Sequence, residues 1–166
     1  MQIREASAHD KDSVWPILET VIRAGEAFAL PRDTGRDEAL DFWFAAGHRV
    51  YVAEEGAEIV GTYFLCANQK GGGSHVANCG YATAQHAVGR GIARAMCEHS
   101  LENARMRGFR AMQFNFVVST NDRAVRLWQS CGFAIVGRLP DAFLHPAHGY
   151  VDVFIMYRSL DTKDTA

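Results

Sequence analysis

The sequence predicts an α/β fold of the α+β kind, with helices packed on one mixed, twisted sheet. Two apolar runs at residues 50–53 and 59–67 are separated by Glu-Glu-Gly-Ala-Glu, which is typical of a hairpin between antiparallel strands. Further along, strand-like residues 75–84 and 111–118 flank an amphipathic helix that follows a glycine turn. This order predicts a right-handed βαβ unit, whose two strands are parallel. The sheet should therefore contain both kinds of strand pair.

The N-terminal part of the chain contains two amphipathic helices separated by a loop. Ser7 or Asp10 can cap the first helix, and Pro16 inside it predicts a kink or a later start. The loop that follows is rich in turn-forming residues and carries Phe28, which no regular element requires. The expected elements are a strand at 3–6, a helix ending near residue 24, a loop at 25–35 and a helix at about 36–46.

The fourth strand carries Asn-Cys-Gly at 78–80, and a glycine inside a strand predicts a bulge that would splay the strand from its neighbour. After the βαβ unit, one more helix and two more strands complete seven strands and about four helices. The C-terminal elements are predicted as a helix at 121–133 and strands at 134–139 and 150–157, with a loop at 140–149 between the strands. We expect a single domain at residues 1–160 and a frayed tail at 161–166.

Composition and charge argue against several classes of protein. The chain has 166 residues, a formal net charge of −2 and no basic stripe, which disfavours nucleic-acid and membrane-surface binding. Its N-terminus has no apolar run, so we expect no signal peptide, no membrane span and a cytoplasmic location. The four cysteines lack Cys-x-x-Cys spacing, which predicts buried, reduced thiols. His145 and His148 have no cysteine or carboxylate beside them, so no metal site is predicted.

The turn between the fourth strand and the next helix is predicted to bind a phosphate group. Gly89 and Gly91 flank Arg90, and glycines allow successive backbone N–H groups to converge on an anion. The positive end of the helix dipole points at the same place. Arg94 stands where a dinucleotide-binding fingerprint needs a third glycine, and the Gly-Lys-Ser/Thr of a P-loop is absent. Both nucleotide interpretations therefore fail.

Two motifs resemble those of the GNAT superfamily of acyl-CoA N-acyltransferases. Val-Gly-Arg-Gly-Ile-Ala at 88–93 resembles the Q/R-x-x-G-x-G/A diphosphate signature, with Val88 in the place of Gln or Arg. Residues 121–133 resemble N-x-x-A-x-x-L-Y-x-x-x-G-F, with Trp128 in the place of the tyrosine. The order of the predicted elements also resembles that of the family over nearly the whole chain.

This resemblance implies the GNAT fold, with strands 4 and 5 splayed into a V, and acetyl-CoA as the co-substrate. The pantetheine arm would lie along strand 4, and a backbone N–H near Thr83 would polarise the thioester carbonyl. A homodimer is an expectation from the resemblance alone. The cofactor-binding residues expected from the resemblance are Ala82, Thr83, Ala84, Val88, Gly89, Arg90, Gly91, Ile92, Ala93, Asn121 and Trp128.

The resemblance also implies direct attack of an amine on the thioester, so Cys79 is expected to be a packed thiol rather than a nucleophile. Trp128 cannot protonate the leaving thiolate, because an indole N–H is not an acid near neutral pH. A thiolate with a pKa of about 8.5 is a tolerable leaving group without such an acid. Strand 4 offers His75 and Tyr81 but no carboxylate as a base, so a water relay is expected.

Asn78 and Asn121 are the polar residues expected nearest the acceptor amine. The alternatives are that Asn78 satisfies a bulge and that Asn121 caps a helix. The predicted catalytic residues are Asn78, Asn121 and Thr83, and the predicted substrate-binding residues are Phe28, Asn78 and Tyr81.

The acceptor is expected to be a small amine, with an amino acid or an analogue as the leading class. Residues 25–33 and 41–44 resemble acceptor-side elements of phosphinothricin acetyltransferases, and residues 75–81, 116–121 and 149–152 resemble, more weakly, acetyltransferases of azetidine-2-carboxylate. Phe28 and Phe143, both in predicted loops, would close a small pocket. The alternatives are a peptide or protein amine as acceptor, and a CoA-binding module without turnover.

Overall fold

The computed structural model describes residues 1–161, which form one seven-stranded sheet in the order β1-β2-β3-β4-β5-β7-β6. All neighbouring strands are antiparallel except β4 and β5, which are parallel. This confirms the predicted mixed sheet and its βαβ unit. The strands are β1 (Gln2–Glu5), β2 (Arg49–Glu55), β3 (Glu58–Ala67), β4 (Val76–Thr83), β5 (Ala111–Val118), β6 (Ala134–His145) and β7 (Gly149–Ser159), and the α-helices are α1 (Lys11–Ala24), α2 (Arg36–Trp43), α3 (Ile92–Met106) and α4 (Asp122–Ser130).

The helices cover both faces of the sheet. Adjacent β3 residues point to opposite faces, and the Thr62 hydroxyl accepts a hydrogen bond from Trp43 Nε1 of α2 at 3.1 Å. On the other face, a Cβ on Gly61 would lie 2.9 Å from Met96 of α3. Trp43, at 1% exposure, is therefore a core residue. Helix α1 begins at Lys11 and runs through Pro16 to Ala24, so the expected later start was wrong.

Strands β4 and β5 pair only at their beginnings, at Val76 with Ala111 and at Ala77 with Met112. Beyond these two pairs the strands separate, which confirms the splayed V. The predicted bulge at 78–80 was wrong, because β4 keeps one uninterrupted register with β3 from Ala77 to Thr83. A glycine is required at position 80 for a different reason, because a Cβ there would lie 2.5 Å from the Phe64 ring. The glycine permits a close aromatic contact across the two strands.

The irregularity next to the gap lies in β5 instead. The register of β5 with β7 shifts between Phe114 and Val117, so one extra residue is accommodated on β5. A bulge of this kind bends the strand that carries it. The bend lies in the part of β5 that no longer pairs with β4.

The predicted loop at 140–149 was also wrong, because β6 continues to His145 and a short turn joins it to β7. Its turn-like residues lie in an irregular part of β6, where the register shifts between Leu139 and Phe143. Asp141 has a φ of 51°, and its N–H donates to the Asp152 carboxylate at 3.0 Å. Since β6 is an edge strand, Pro140 removes no N–H that the sheet requires. Phe143 consequently lies in a strand and not in a loop.

None of the helices in residues 1–161 has the length and apolar character needed to cross a membrane. The predicted frayed tail begins at Asp161, and its remaining residues, 162–166, lie outside the described part of the chain.

Candidate active site

A cavity of about 340 Å³ fills the gap between β4 and β5. It extends from the α2 face of the sheet to the face that carries α3 and α4. Tyr81, on the α3 face, donates to or accepts from Ser100 of α3 at 2.6 Å, whereas Gly80 lies under Phe64 on the α2 face. The cavity is lined by Ala27, Phe28, Phe42, Phe64, Asn78, Cys79, Gly80, Tyr81, Thr83, Ala93, Phe114, Asn115, Phe116, Val117, Asn121, Arg123, Ala124, Leu127 and Trp128.

The backbone of β4 presents groups to this gap that have no partner within residues 1–161. The N–H of Ala84 donates to the Val60 carbonyl oxygen at 2.9 Å, and this bond shows which β4 residues direct their backbone groups toward β3. In an antiparallel ladder the N–H and C=O of alternate residues point to the same neighbour. Ala82 and Ala84 therefore bond β3, whereas the N–H and C=O of Thr83, and likewise of Tyr81, face the gap.

The glycine turn has the backbone geometry that an anion site requires. Gly89 and Gly91 have φ angles of 88° and 83°, a region that other residues rarely adopt. The first intrahelical bond of α3 runs from the Ala95 N–H to the Gly91 carbonyl at 3.0 Å. The N–H groups of residues 92–94 consequently have no backbone acceptor within residues 1–161.

Three arginines lie around this turn, and one of them has no partner within residues 1–161. Arg90 forms an ion pair with Glu55, and Arg94 donates to Ser130 Oγ at 2.7 Å. Arg123 lines the cavity, its Nη2 lies 3.9 Å from the position of a Cβ on Gly89, and no residue within 1–161 pairs with it. Sequence analysis missed Arg123. The sequence did contain a signal: Arg123 is a cation in the first turn of α4, where the helix dipole favours an anion, so a cation there is unusual and suggests a binding role.

Both predicted asparagines line the cavity, and they differ in how their side chains are bonded. Asn121 caps α4, with its Oδ1 accepting from the Ala124 N–H at 3.2 Å, so the capping alternative is confirmed for that atom. The Nδ2 group of Asn121 remains unpaired within residues 1–161. Asn78 has no bulge to satisfy, and its side-chain amide has no partner within the same residues. Asn78 is therefore free to bond a ligand.

Burial suppresses the ionisation of the two acidic side chains in the cavity wall. Burial raises the pKa of the Cys79 thiol to about 12, which favours the predicted packed, un-ionised thiol over a nucleophile. Burial also raises the pKa of Tyr81 well above its usual value. Trp128 is 8% exposed and packs against Tyr81 and Phe114, with ring centroids 4.9 Å and 5.1 Å away. The indole is thus part of the cavity wall.

Aromatic rings line the α2 end of the cavity. Phe28 lines it and lies 5.8 Å from the Trp43 ring, while Phe42 lies 6.0 Å from Phe64. Phe116 lines the opposite wall from β5. Of these lining rings, only Phe28 was predicted from the sequence, and the expectation that Phe143 would also close the pocket was wrong, because Phe143 does not line the cavity. The other rings come from α2, β3 and the bulged part of β5, which meet only in the folded chain.

No group of three or more His, Cys, Asp or Glu side chains within residues 1–161 is arranged to hold a metal ion.

Comparisons with known proteins agree on one family. A family model described as "Acetyltransferase (GNAT) family" matches residues 16–133. The N-acetyltransferase aca1 of Schizosaccharomyces pombe is 28% identical over 151 residues, which cover 81% of this chain and 72% of the relative. A GCN5-related N-acetyltransferase from Kribbella flavida is 38% identical, with a TM-score of 0.91, over 95% of this chain and 96% of that one. The fold also matches yncA of Salmonella typhimurium, solved with acetyl-CoA, at a TM-score of 0.85 and 23% identity, over 97% of this chain and 94% of that one.

Proposed function

The chain belongs to the acetyltransferase (GNAT) family and is an acetyl-CoA-dependent N-acetyltransferase, and from this premise we infer that its acceptor is a small-molecule amine, an amino acid or an analogue of one. The observation that carries this inference is the aromatic lining and limited size of the acceptor end of the cavity. The cavity volume of about 340 Å³ must also hold the acetyl end of the cofactor, so the space beside the aromatic side chains suits a small molecule. A peptide or protein amine would need an open groove at the α2 end, where Phe28 and Phe42 stand.

Acetyl-CoA enters from the side of α3 and α4 in this proposal. Its diphosphate binds the backbone N–H groups of the glycine turn and the first turn of α3, with Arg123 as the neighbouring cation. Its pantetheine arm runs along β4 and pairs with the C=O of Thr83, the residue of the predicted segment 82–84 whose backbone groups face the gap, and the Thr83 N–H is left for the thioester carbonyl. Ala82 and Ala84 contribute their small side chains rather than backbone hydrogen bonds.

The acetyl group moves in one displacement. The amine nitrogen attacks the thioester carbonyl carbon, the carbonyl oxygen gains charge beside the Thr83 N–H, and the carbon–sulfur bond breaks to release the CoA thiolate. The amine's proton leaves through water, and the products are an amide and the CoA thiol. Asn78 and the Nδ2 group of Asn121 hold the reacting groups from opposite sides of the gap.

A screen of amino acids, their analogues and other small amines with acetyl-CoA, with free thiol as the readout, tests this function. Turnover of a small amine supports it and eliminates a CoA-binding module without activity. Turnover confined to peptides or proteins would overturn it.

Replacing Trp128 with phenylalanine should retain most turnover, because the indole packs against Tyr81 and Phe114 instead of donating a proton. Trp128→Tyr, which restores a phenol, should likewise remain active. Steady-state kinetics check this expectation. A hundredfold loss of kcat in the Phe variant at unchanged acetyl-CoA affinity would contradict it.

Replacing either asparagine with alanine should lower kcat/KM for the amine by tenfold or more, about 1.4 kcal/mol of transition-state stabilisation. An amide donates and accepts at once, which suits an acceptor without a neighbouring carboxylate. Asn78→Ala should leave the affinity for acetyl-CoA and the melting temperature almost unchanged, since the Asn78 side chain has no partner within residues 1–161.

Asn121 needs a matched control because it also caps α4. Asn121→Ala should lose about 1 kcal/mol of stability with the cap. Asn121→Ser keeps an acceptor for the Ala124 N–H but removes Nδ2, so it should stay stable and lose activity. A stable and fully active Asn121→Ser would remove Asn121 from the reaction.

A further inference from the structure

The cavity brings together only three ionisable side chains within residues 1–161, and none of them is a base near neutral pH. The Cys79 thiol has a pKa raised to about 12 by burial, so it keeps its proton. The Tyr81 phenol is buried and bonded to Ser100 Oγ at 2.6 Å. Arg123 stays a cation. A group that could take a proton from the attacking amine is therefore missing from the wall.

Among the charged groups of residues 1–161, only Arg123 lines the cavity. His48 stacks on Phe64 at 4.2 Å between ring centroids, and its Nδ1 lies 3.1 Å from the Trp43 carbonyl. Glu26 precedes Ala27 of the wall but is exposed and does not line the cavity. Asp41, His75, Arg94, Asp122 and Arg126 are exposed and do not line the cavity. The buried His145 contacts the Phe143 ring, which lies between it and the lining residue Phe116.

The same wall, within the described residues, has no anion that could pair with the charged form of an amine. An ammonium group that leaves water without an anionic partner loses part of its solvation. The aromatic wall offers no carboxylate within residues 1–161 to compensate for that loss. Only the neutral amine has the lone pair needed to attack a carbonyl carbon.

We propose that the enzyme acetylates weakly basic amines that enter the cavity already neutral, namely amines next to an uncharged carbonyl group on an apolar body, such as α-amino amides. This rests on the proposed function and narrows its acceptor class. The unpartnered amide of Asn78 can donate to such a carbonyl oxygen and accept from the attacking nitrogen. Because the pKa of its amine is low, such an acceptor keeps a substantial neutral fraction near neutral pH and needs no base in the cavity wall.

The size of the expected preference follows from the acceptor pKa. An α-amino group next to a carbonyl has a pKa of about 7.7–8.0 and an alkylamine one of about 10.4, so at pH 7 the neutral fraction differs by about 300-fold. Nucleophilicity falls as pKa falls, with a slope of about 0.4–0.5 measured for thiols. The net preference for the α-amino amide at pH 7 is therefore about tenfold to thirtyfold.

The test measures kcat/KM from pH 6 to pH 10.5 with two matched pairs, phenylalaninamide against phenethylamine and alaninamide against ethylamine. The amide profiles should rise with pH and level off above the pKa of the amide's own amine, whereas the alkylamine profiles should still be rising at pH 10. The amides should be preferred tenfold or more at pH 7 and lose that preference above pH 10. Ethylamines with one, two and three fluorines keep nearly the same size while their pKa falls, and their inflections should move with it. Glu26→Gln should leave every profile unchanged.

One inflection shared by all amines would overturn the proposal, because it would indicate a base on the protein. Loss of that shared inflection in Glu26→Gln would identify Glu26 as the base. A preference for the alkylamines at pH 7 would also overturn the proposal. Failure of both pairs, while the amine screen finds other small acceptors, would also overturn it and leave the proposed function standing. The absence of turnover with every small amine would instead remove the proposed function itself.

Discussion

Replacing Gly91 with aspartate is expected to abolish acetyl-CoA binding, with a loss of affinity of at least a hundredfold. Gly91 has a φ of 83° and precedes the unpaired N–H groups of residues 92–94. A side chain there costs about 1–2 kcal/mol of backbone strain, and its carboxylate would meet the diphosphate where the helix dipole favours the ligand's charge. Titration calorimetry with acetyl-CoA measures the loss.

Gly91→Asn is the matched control, because asparagine has nearly the same size as aspartate, tolerates a left-handed backbone and carries no charge. Its affinity should lie between those of the native chain and the aspartate variant. If a folded Gly91→Asp variant kept its native affinity, the diphosphate would have to bind elsewhere.

Replacing Thr83 with proline is expected to lower kcat by about a hundredfold to a thousandfold, which is the effect of removing one oxyanion donor. Proline lacks the N–H group that Thr83 directs into the gap. Because that N–H makes no bond to β3, its loss leaves the β3–β4 ladder intact. The extended residue Ala82 is compatible with a following proline.

Thr83→Ala separates the backbone from the side chain, since it keeps the N–H and loses only the hydroxyl and methyl groups. We expect it to retain nearly native kcat. Equal losses in the two variants would assign the effect to the side chain, and a native kcat in a folded Thr83→Pro would exclude this N–H as the oxyanion donor.

Much of the fold was predictable because its signals are local in the sequence. The hairpin between β2 and β3 follows from its turn residues, and the βαβ unit follows from the glycine turn and the period of α3. The Gly89 and Gly91 backbone geometry was predictable for the same reason, because a positive φ is what these glycines permit. The capping role of Asn121 is equally local.

The errors arose where a residue type serves a distant contact. Gly80 suggested a bulge, but its reason is the Phe64 ring from the neighbouring strand. The bulge that lies beside the gap, between Phe114 and Val117, contains no glycine to reveal it. Pro140 and Asp141 suggested a loop, whereas they belong to an irregular edge strand.

The acceptor end of the cavity was the least predictable part for a related reason. Its aromatic wall combines Phe42 of α2, Phe64 of β3 and Phe116 of β5, which are ordinary core-type residues in the sequence. Arg123 could likewise be placed at the candidate binding site only in the folded chain, where it lies beside Gly89 and has no partner within residues 1–161.

A crystal structure with a non-reactive analogue of acetyl-CoA, in which the thioester sulfur is replaced by CH₂, tests the central claim most directly. The account predicts the diphosphate on the N–H groups at the start of α3 and the carbonyl oxygen within about 2.7–3.1 Å of the Thr83 nitrogen. The acetyl group should then point toward Asn78. A diphosphate bound away from the glycine turn, or an acetyl group outside the gap between β4 and β5, would contradict it.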